Sequence, residues 1–589
     1  MSIESKVRKK LRKDHPDIDY RIKDDIVFLK GRVRDHDDYV NVGLKIGDIE
    51  GVEGVVNHVN WGKNEGEDEK REARRKNIFE KNHRNIKGEY DVIIIGGGVT
   101  GCFIARELSR YRLDVLVIEK EPDVSLGASR ANNGMIHPGL APSRDSLKRE
   151  LNIEGNEKYD KICKELDVKF ERTGSLLLIT ERTLQPYKRY LPGPLYKFTL
   201  KHIVSWFVKR RGVKNGVDGI EIIKNKEVIR YMEPGVGEGV VSAVHMPSTG
   251  ILDPYELTIA LYENADENSV DFLLDTEAVG FIKKRGRIVG VVTSEGAYRC
   301  RYCINAAGVH ADRVAEMAGV REYTIHPRKG SMLLFDRETS DRVEHCLGEL
   351  RLPLHPTSKG GGINPTIHGN IIWGPNAEEV ESKEDTSVDE EEISSMLEKY
   401  SDIIPALPES MLIRYFSGIR APTFTEDFII RPAKWVDGFV HVAGIQSPGL
   451  ASSPAIADRV IDILEGMGLE MVEKDDFNPK RKSIPRVKDM PKEELDERIK
   501  KEEAWGNIIC TCETVSEAEI IKAIERGADS VDAVKRRTRA GMGNCQLSYC
   551  GLRIAKILAR ELDIPLNEVI KEWRSSKLYD GNVRGEDFG

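Results

Sequence analysis

The chain has 589 residues, about twice the size at which one hydrophobic core stops growing, so at least two packed units are expected. With 40% hydrophobic and 32% charged residues, mean hydropathy -0.42 and 90 basic against 98 acidic side chains, the net charge is -8. This balance excludes a membrane-spanning protein and a global nucleic-acid clamp. The longest apolar stretch, Val92 to Ala105, is too short to cross a bilayer, and no apolar signal region opens the chain, so a cytoplasmic location is expected. Nine cysteines are too few for a disulfide framework, and four of them cluster near the C-terminus.

Residues 1–61 read as a separate unit of pattern α-β-β-α-β, in which a helix near Ser5–Lys13, one strand of the first pair at Ile26–Arg32, a helix at Tyr39–Ile49 and a last strand at Val52–Val59 are placed. Between Lys63 and Glu89 sixteen of 27 residues are charged, which places a boundary, 62–89, as a solvated helix or linker. A larger body follows over 90–465. A second linker, 466–503, carries Pro479, Pro485 and Pro491 among dense charge and precedes a final module, 504–589. The acidic run Glu378–Glu392 reads as a solvated surface insertion.

Tyr90–Ile95 is a β-rich run entering Gly96-Gly-Gly-Val-Thr-Gly101 directly, followed by a helix from Cys102 and a strand, Asp114–Ile118, that ends at Glu119. This is a dinucleotide fingerprint in its strand–helix–strand context. Gly96 permits a tight turn, Gly98 lets backbone approach a pyrophosphate, Gly101 allows close helix packing, and Glu119 is placed for ribose hydroxyls. Two later strands, Cys303–Val309 and His441–Gly449, return small residues to the same crevice, which suits a large prosthetic group better than an exchangeable nicotinamide.

Ser129–Gly139 (SRANNGMIHPG), Ile304–Gly308, Pro327–Ser331 (PRKGS) and Gly418–Arg420 resemble, in order, the D-amino-acid-oxidase-like FAD enzymes, and among them the large subunits of anaerobic-type glycerol-3-phosphate dehydrogenases. The resemblance implies an α/β fold in which a Rossmann-like FAD domain is interleaved with a mixed-β substrate domain. It implies FAD held by Gly96, Gly98, Gly101, Glu119, Ser129, Asn133, Gly134, Val279, Gly308, Gly449 and Leu450. It places His137 at the family's catalytic histidine and Arg420 and Lys329 at positions that bind the substrate anion. A neutral imidazole suits proton removal from an alcohol near pH 7, and an arginine fork suits phosphate or carboxylate. Ser447 reads equally as a substrate donor or a helix cap. His355, His368 and His441 read as structural, with His368–Asn370 the turn of a hairpin spanning Lys359–Asn376.

Cys510-x-Cys512 and Cys545-x4-Cys550 supply four thiolates, enough for a [2Fe-2S] cluster or a structural zinc, and their spacing departs from the usual paired zinc knuckles. The segment resembles the bacterioferritin-associated-ferredoxin-like [2Fe-2S] domain, with Arg537–Gly543 as a glycine loop turning N–H groups toward sulfur. Cys300 and Cys303 sit three apart on a strand, where they should face opposite sides. Leu29–Val33 and Gly54–Asn57 resemble the BON domain, which implies contact with phospholipid surfaces or protein partners.

Together these readings imply oxidation of a small anionic substrate, sn-glycerol 3-phosphate, with electrons leaving through the cluster to a partner protein or quinone. A 2-hydroxy acid or amino acid as substrate, and a non-catalytic electron-transfer subunit, stay open.

Overall fold

The computed structural model describes residues 2–62, 66–190, 193–352, 361–405 and 407–579, and no helix among them is long and apolar enough to cross a membrane. His355 and the start of the expected hairpin lie outside the described residues.

The N-terminal unit runs helix Ile3–Asp14, strands Asp19–Lys23 and Ile26–Arg32, helix His36–Gly47 and strand Gly54–Asn60. Ser2 and Asp35 start its two helices by accepting from the backbone N–H of Ser5 and Asp38. The central strand pairs antiparallel with Asp19–Lys23 and parallel with Gly54–Asn60. The core of this unit also takes in Phe424 from a distant loop, and a Cβ at Gly43 or Gly47 would overlap that residue. The unit is thereby bolted to the main body through its own core.

The charged stretch forms a helix, Gly66–Asn82, most of whose described side chains are solvated. Its last turn is not free. Ile78 and Phe79 pack on Val279, Val292 and Ala297, and Asn82 donates to the carbonyls of Thr293 and Ser294 at 3.0 and 2.8 Å.

The nucleotide sheet is ordered Val270–Leu273, Val115–Ile118, Ile86–Ile95, Ala297–Asn305, Arg287–Thr293 and Ala278–Lys284, with Phe439–Ala443 also pairing with Ala297–Asn305. The parallel stretches 92–95, 115–118, 302–305 and 439–443 are buried because helices Val99–Leu108 and Gly449–Gly466 cover one face and the second buried cluster the other. Cys300 and Cys303 both belong to the second cluster, so the expected opposition of their side chains does not hold.

The second sheet has nine strands and carries the substrate side of the molecule. Arg328–Phe335 lies against Leu412–Arg420 in antiparallel register, with Arg328 opposite Arg420 and Gly330 opposite Gly418. On its other edge it meets Ile371–Gly374, which forms a hairpin with Gly362–Pro365 through a turn containing His368–Asn370. The acidic run is solvated over most of its length, but two of its carboxylates are not. Glu379 bonds buried Arg328 and His326, and Glu392 reaches Lys329, so nonlocal cations draw these carboxylates inward.

Residues 466–503 are laid along the body by specific bonds rather than left loose. Arg486 pairs with Glu256 at 2.8 Å, and Asn264 and Asn268 donate to the Asn478 carbonyl. Ile484 is buried in the core of the C-terminal unit. Among the described residues that unit has three α-helices, of which Glu517–Glu525 starts with the capping box formed by Ser516 and Glu519.

Candidate functional site

One continuous cavity of about 2890 Å³ runs between the two sheets, well beyond the roughly 300–1,000 Å³ of a drug-sized pocket. At one end lies the glycine loop. Gly96 has φ +115° and a Cβ there would overlap the Ala306 carbonyl; a Cβ on Gly101 would overlap the Gly96 carbonyl. Only hydrogen at these positions lets the helix start beneath the strand end, which leaves the N–H groups of its first turn directed at the cavity. Ser129 Oγ accepts from Val99 N at 2.9 Å, tying a second loop to this helix start.

Glu119 caps the neighbouring strand and accepts from Gly97 N at 2.6 Å and Glu121 N at 2.9 Å. Burial pushes its carboxyl above the ordinary range, against the pull of those two N–H groups. Its remaining lone pairs are available to ribose hydroxyls. Gly308, at φ +55°, lines the same cavity, and a Cβ there would meet nothing within 4 Å. Asn133, Gly449 and Leu450 line the wall; Gly134, at φ +66°, packs so closely on Leu252 that a side chain would overlap its carbonyl. These residues fit an FAD: a dinucleotide-length cavity, an anion-binding helix start and a buried carboxylate at the ribose position.

Val279 is placed differently from the expectation. It faces away, packed with Ile78 and Phe79, while Thr276, Glu277 and Ala278 line the cavity. A strand alternates its faces, so an error of one residue in register turns the side chain to the other side.

His137, Ser447 and Arg420 line the same cavity. Ser447 Oγ and His137 Nε2 are hydrogen-bonded at 3.3 Å. The histidine backbone is pinned: Asn152 and Asn156 both donate to its carbonyl, at 2.7 and 2.9 Å. Arg420 donates to the carbonyls of Lys329 at 3.2 Å and Asn376 at 2.8 Å. Among the described residues no carboxylate lies within ion-pair distance of it. Gly330 makes its position possible, since a Cβ there would come within 2.6 Å of the guanidinium. Burial and the nearby charge of Arg328 lower the Arg420 pKa to about 10, so it stays a cation at neutral pH.

Lys329 does not join Arg420. Arg328, Gly330 and Met332 share one side of their strand, and Lys329 and Ser331 the other. The Lys329 ammonium is paired with Glu392 at 3.0 Å and Glu378 at 3.5 Å, and it is not part of the cavity wall. Its expected contact with the substrate anion is therefore replaced by a buried ion pair. Sequence reasoning misses Lys148, which lines the cavity and bonds the Glu426 carbonyl; burial, offset in part by Glu426 and Asp427, lowers it to about 8. No local motif marks it.

The four C-terminal cysteines gather around the glycine loop. Gly541 N donates to Cys510 Sγ at 3.4 Å. The neighbouring Cys550 thiol, with that N–H, lowers the Cys510 thiol to about 6 against the cost of burial. Four thiolates with N–H support fit a [2Fe-2S] cluster. Among the described residues, the one three-ligand group with all its donor atoms within 4.8 Å is Asp253, Glu256 and His368, so the sulfurs are spread more widely than the about 3.8 Å edges of a tetrahedral zinc site.

Arg539, Met542 and Gln546, from the same loop region, line the large cavity. The cluster unit is fastened there by buried charge: Arg537 forks onto Asp123 at 2.7 and 3.0 Å, and Arg536 meets the same carboxylate at 3.1 Å. Burial would raise Asp123, but Arg537 and Arg536 hold it below the ordinary carboxylate range. Trp573 donates to Glu121 at 2.7 Å, two residues from the ribose carboxylate.

Fold and site together define a flavin-dependent oxidoreductase with an appended iron–sulfur unit, and the chain belongs to the FAD dependent oxidoreductase family, which matches residues 91–463. The BFD-like [2Fe-2S] binding domain matches residues 508–560. The chain is 39% identical over 503 residues to a glycerol 3-phosphate dehydrogenase of Caloramator mitchellensis, covering 84% of this chain and 99% of that one. It is 25% identical to one subunit of the anaerobic glycerol-3-phosphate dehydrogenase of Escherichia coli, over 80% of this chain and 88% of that one. Among solved structures, the dithionite-reduced L-alpha-glycerophosphate oxidase of Mycoplasma pneumoniae with FAD bound aligns with TM-score 0.59 at 25% identity, over 67% of this chain and 98% of that one.

Proposed function

We propose that the chain oxidises sn-glycerol 3-phosphate to dihydroxyacetone phosphate, with FAD as first electron acceptor and the [2Fe-2S] cluster as the exit toward a partner protein or quinone. The observation that carries this reading is the convergence of an imidazole, a hydroxyl and an arginine with no carboxylate partner among the described residues on the cavity that holds the nucleotide loops. The names of the relatives support the choice of phosphate over carboxylate.

When bound, FAD supplies the acceptor for the hydride leaving the carbinol carbon. Arg420 binds the substrate's phosphate with a fork already oriented by two carbonyls, so little side-chain entropy is lost on binding. His137 takes the hydroxyl proton on Nε2 once the substrate hydroxyl replaces Ser447 Oγ, which occupies that nitrogen in the resting site. The pinned His137 carbonyl keeps the ring at a fixed distance from the cavity wall. The BON-like N-terminal unit has a supporting part: Phe424 seats the loop whose next residues, Thr425 and Glu426, line the cavity.

Steady-state turnover with a dye acceptor tests the reading. sn-Glycerol 3-phosphate should exceed 2-hydroxyglutarate and D- or L-amino acids by at least about a hundredfold in kcat/KM, the scale of losing one oriented charge contact. A higher kcat/KM for a carboxylate substrate would replace the substrate assignment, and no turnover with any of them would favour an electron-transfer subunit.

A further inference from the structure

The helical segment from Gly193 to Asn215 has two unlike faces. Inward, Tyr196, Leu200 and Val204 are buried against Val241, Val244 and Met246. Outward, Phe198, Trp206, Phe207 and Val213 are between 48% and 59% exposed, joined by Leu195 and Ile203. The same stretch holds Lys197, Lys201, Lys209, Arg210, Arg211 and Lys214 and no Asp or Glu, in a chain whose net charge is -8. Of these six cations, Lys197 alone has a carboxylate partner among the described residues, at 3.0 Å from Glu181. Arg210 lies over the Trp206 ring at 5.1 Å. The inner face already satisfies the fold, so the outer aromatic and basic groups are not needed for packing.

We propose that this face is a docking surface for an anionic lipid bilayer, lying in the interface plane without crossing it. Aromatic rings flanked by long cations match the two layers of such a surface: rings enter the headgroup–acyl boundary while ammonium and guanidinium groups stay at the phosphates. Each cation near the surface adds electrostatic attraction to anionic lipid, and the uninterrupted positive charge supplies the complementarity. An acidic protein partner would match the charge but would leave the exposed rings unexplained. Val204, Phe207, Val208 and Arg211 also line the large cavity, so docking by this face sets the cavity wall beside the membrane. The inference does not rest on the substrate assignment.

Flotation of the full-length flavoprotein with extruded vesicles tests it. Wild type should float with phosphatidylcholine–phosphatidylglycerol vesicles and stay down with phosphatidylcholine alone, and raising the ionic strength should release it, because surface attraction is screened within a Debye length. A Lys209→Glu/Arg210→Glu/Lys214→Glu variant with normal flavin content should lose at least about tenfold in partitioning. Phe198→Ser/Trp206→Ser should weaken binding in the same assay. Failure to float with anionic vesicles, or salt-independent flotation that the charge reversals leave unchanged, would overturn the proposal. Self-association of wild type without lipid, abolished by the same substitutions, would assign the face to a second copy and overturn it as well.

Discussion

In the proposed reaction His137 and Arg420 act at opposite ends of the same substrate, and this difference is measurable. Replacing His137 with Gln removes a proton acceptor and leaves the anion contact, so the rate of flavin reduction should fall about 10²–10⁴-fold with a small change in substrate affinity. Arg420→Lys should chiefly weaken binding, because a point charge cannot reproduce the fork held by the Lys329 and Asn376 carbonyls. Rapid-reaction kinetics over a range of substrate concentrations separates the two; equal effects of both variants on affinity would remove the division of roles. Gly330→Ala should resemble Arg420→Lys, since the added methyl displaces the guanidinium without touching its charge. The glycine loop, Glu119 and the four cysteines are readable from sequence because their chemistry depends on local spacing. Lys329 is not, because its face depends on pairing with Leu412–Arg420, more than eighty residues away, and its partner Glu392 lies in a run whose charge density reads as solvated.

Among the elements, the interface between the cluster unit and the nucleotide sheet departs most from a picture of modules on linkers. Charge density and prolines mark 466–503 as nonregular chain, but they carry no information about where it is seated; that is decided by Glu256, Asn264 and Asn268 on a single helix. Asp123→Ala leaves Arg537 buried without its carboxylate, while Arg536 keeps Glu572, a loss of about 3–5 kcal/mol at this interface. Limited proteolysis within 473–503 should become faster in that variant while iron content is retained; unchanged cleavage would show that the clamp does not hold the unit. The pH dependence has a definite sign. Asp123 is held below its ordinary value, so its contribution is complete above about pH 4, the usual aspartate range, and is lost as pH falls through the lowered folded value. Acidification should therefore release the cluster unit and raise proteolysis in the same segment. The order of elements in the N-terminal unit is likewise readable from periodicity, whereas its attachment through Phe424 is not, because a side chain donated from elsewhere leaves no periodic trace. Phe424→Ala should cost about 3–5 kcal/mol in that core and raise KM through the loop bearing Glu426.

Taken as one molecule, the chain places His137, Arg420 and the nucleotide loops on one cavity, and Arg539 and Met542 of the cluster unit form part of the same cavity wall. That continuity is the reason to expect electrons from the substrate to leave through the cluster rather than mainly to oxygen. The most direct check is anaerobic rapid mixing of the protein and its Cys545→Ser variant with sn-glycerol 3-phosphate, following the flavin and cluster absorption bands separately. The account predicts prompt flavin bleaching in both proteins, followed by cluster reduction in wild type alone, and loss of rapid transfer to a quinone analogue in the variant. Absence of flavin bleaching by sn-glycerol 3-phosphate in a fully flavinated protein would contradict the central claim, and full acceptor turnover by the variant would contradict the path through the cluster.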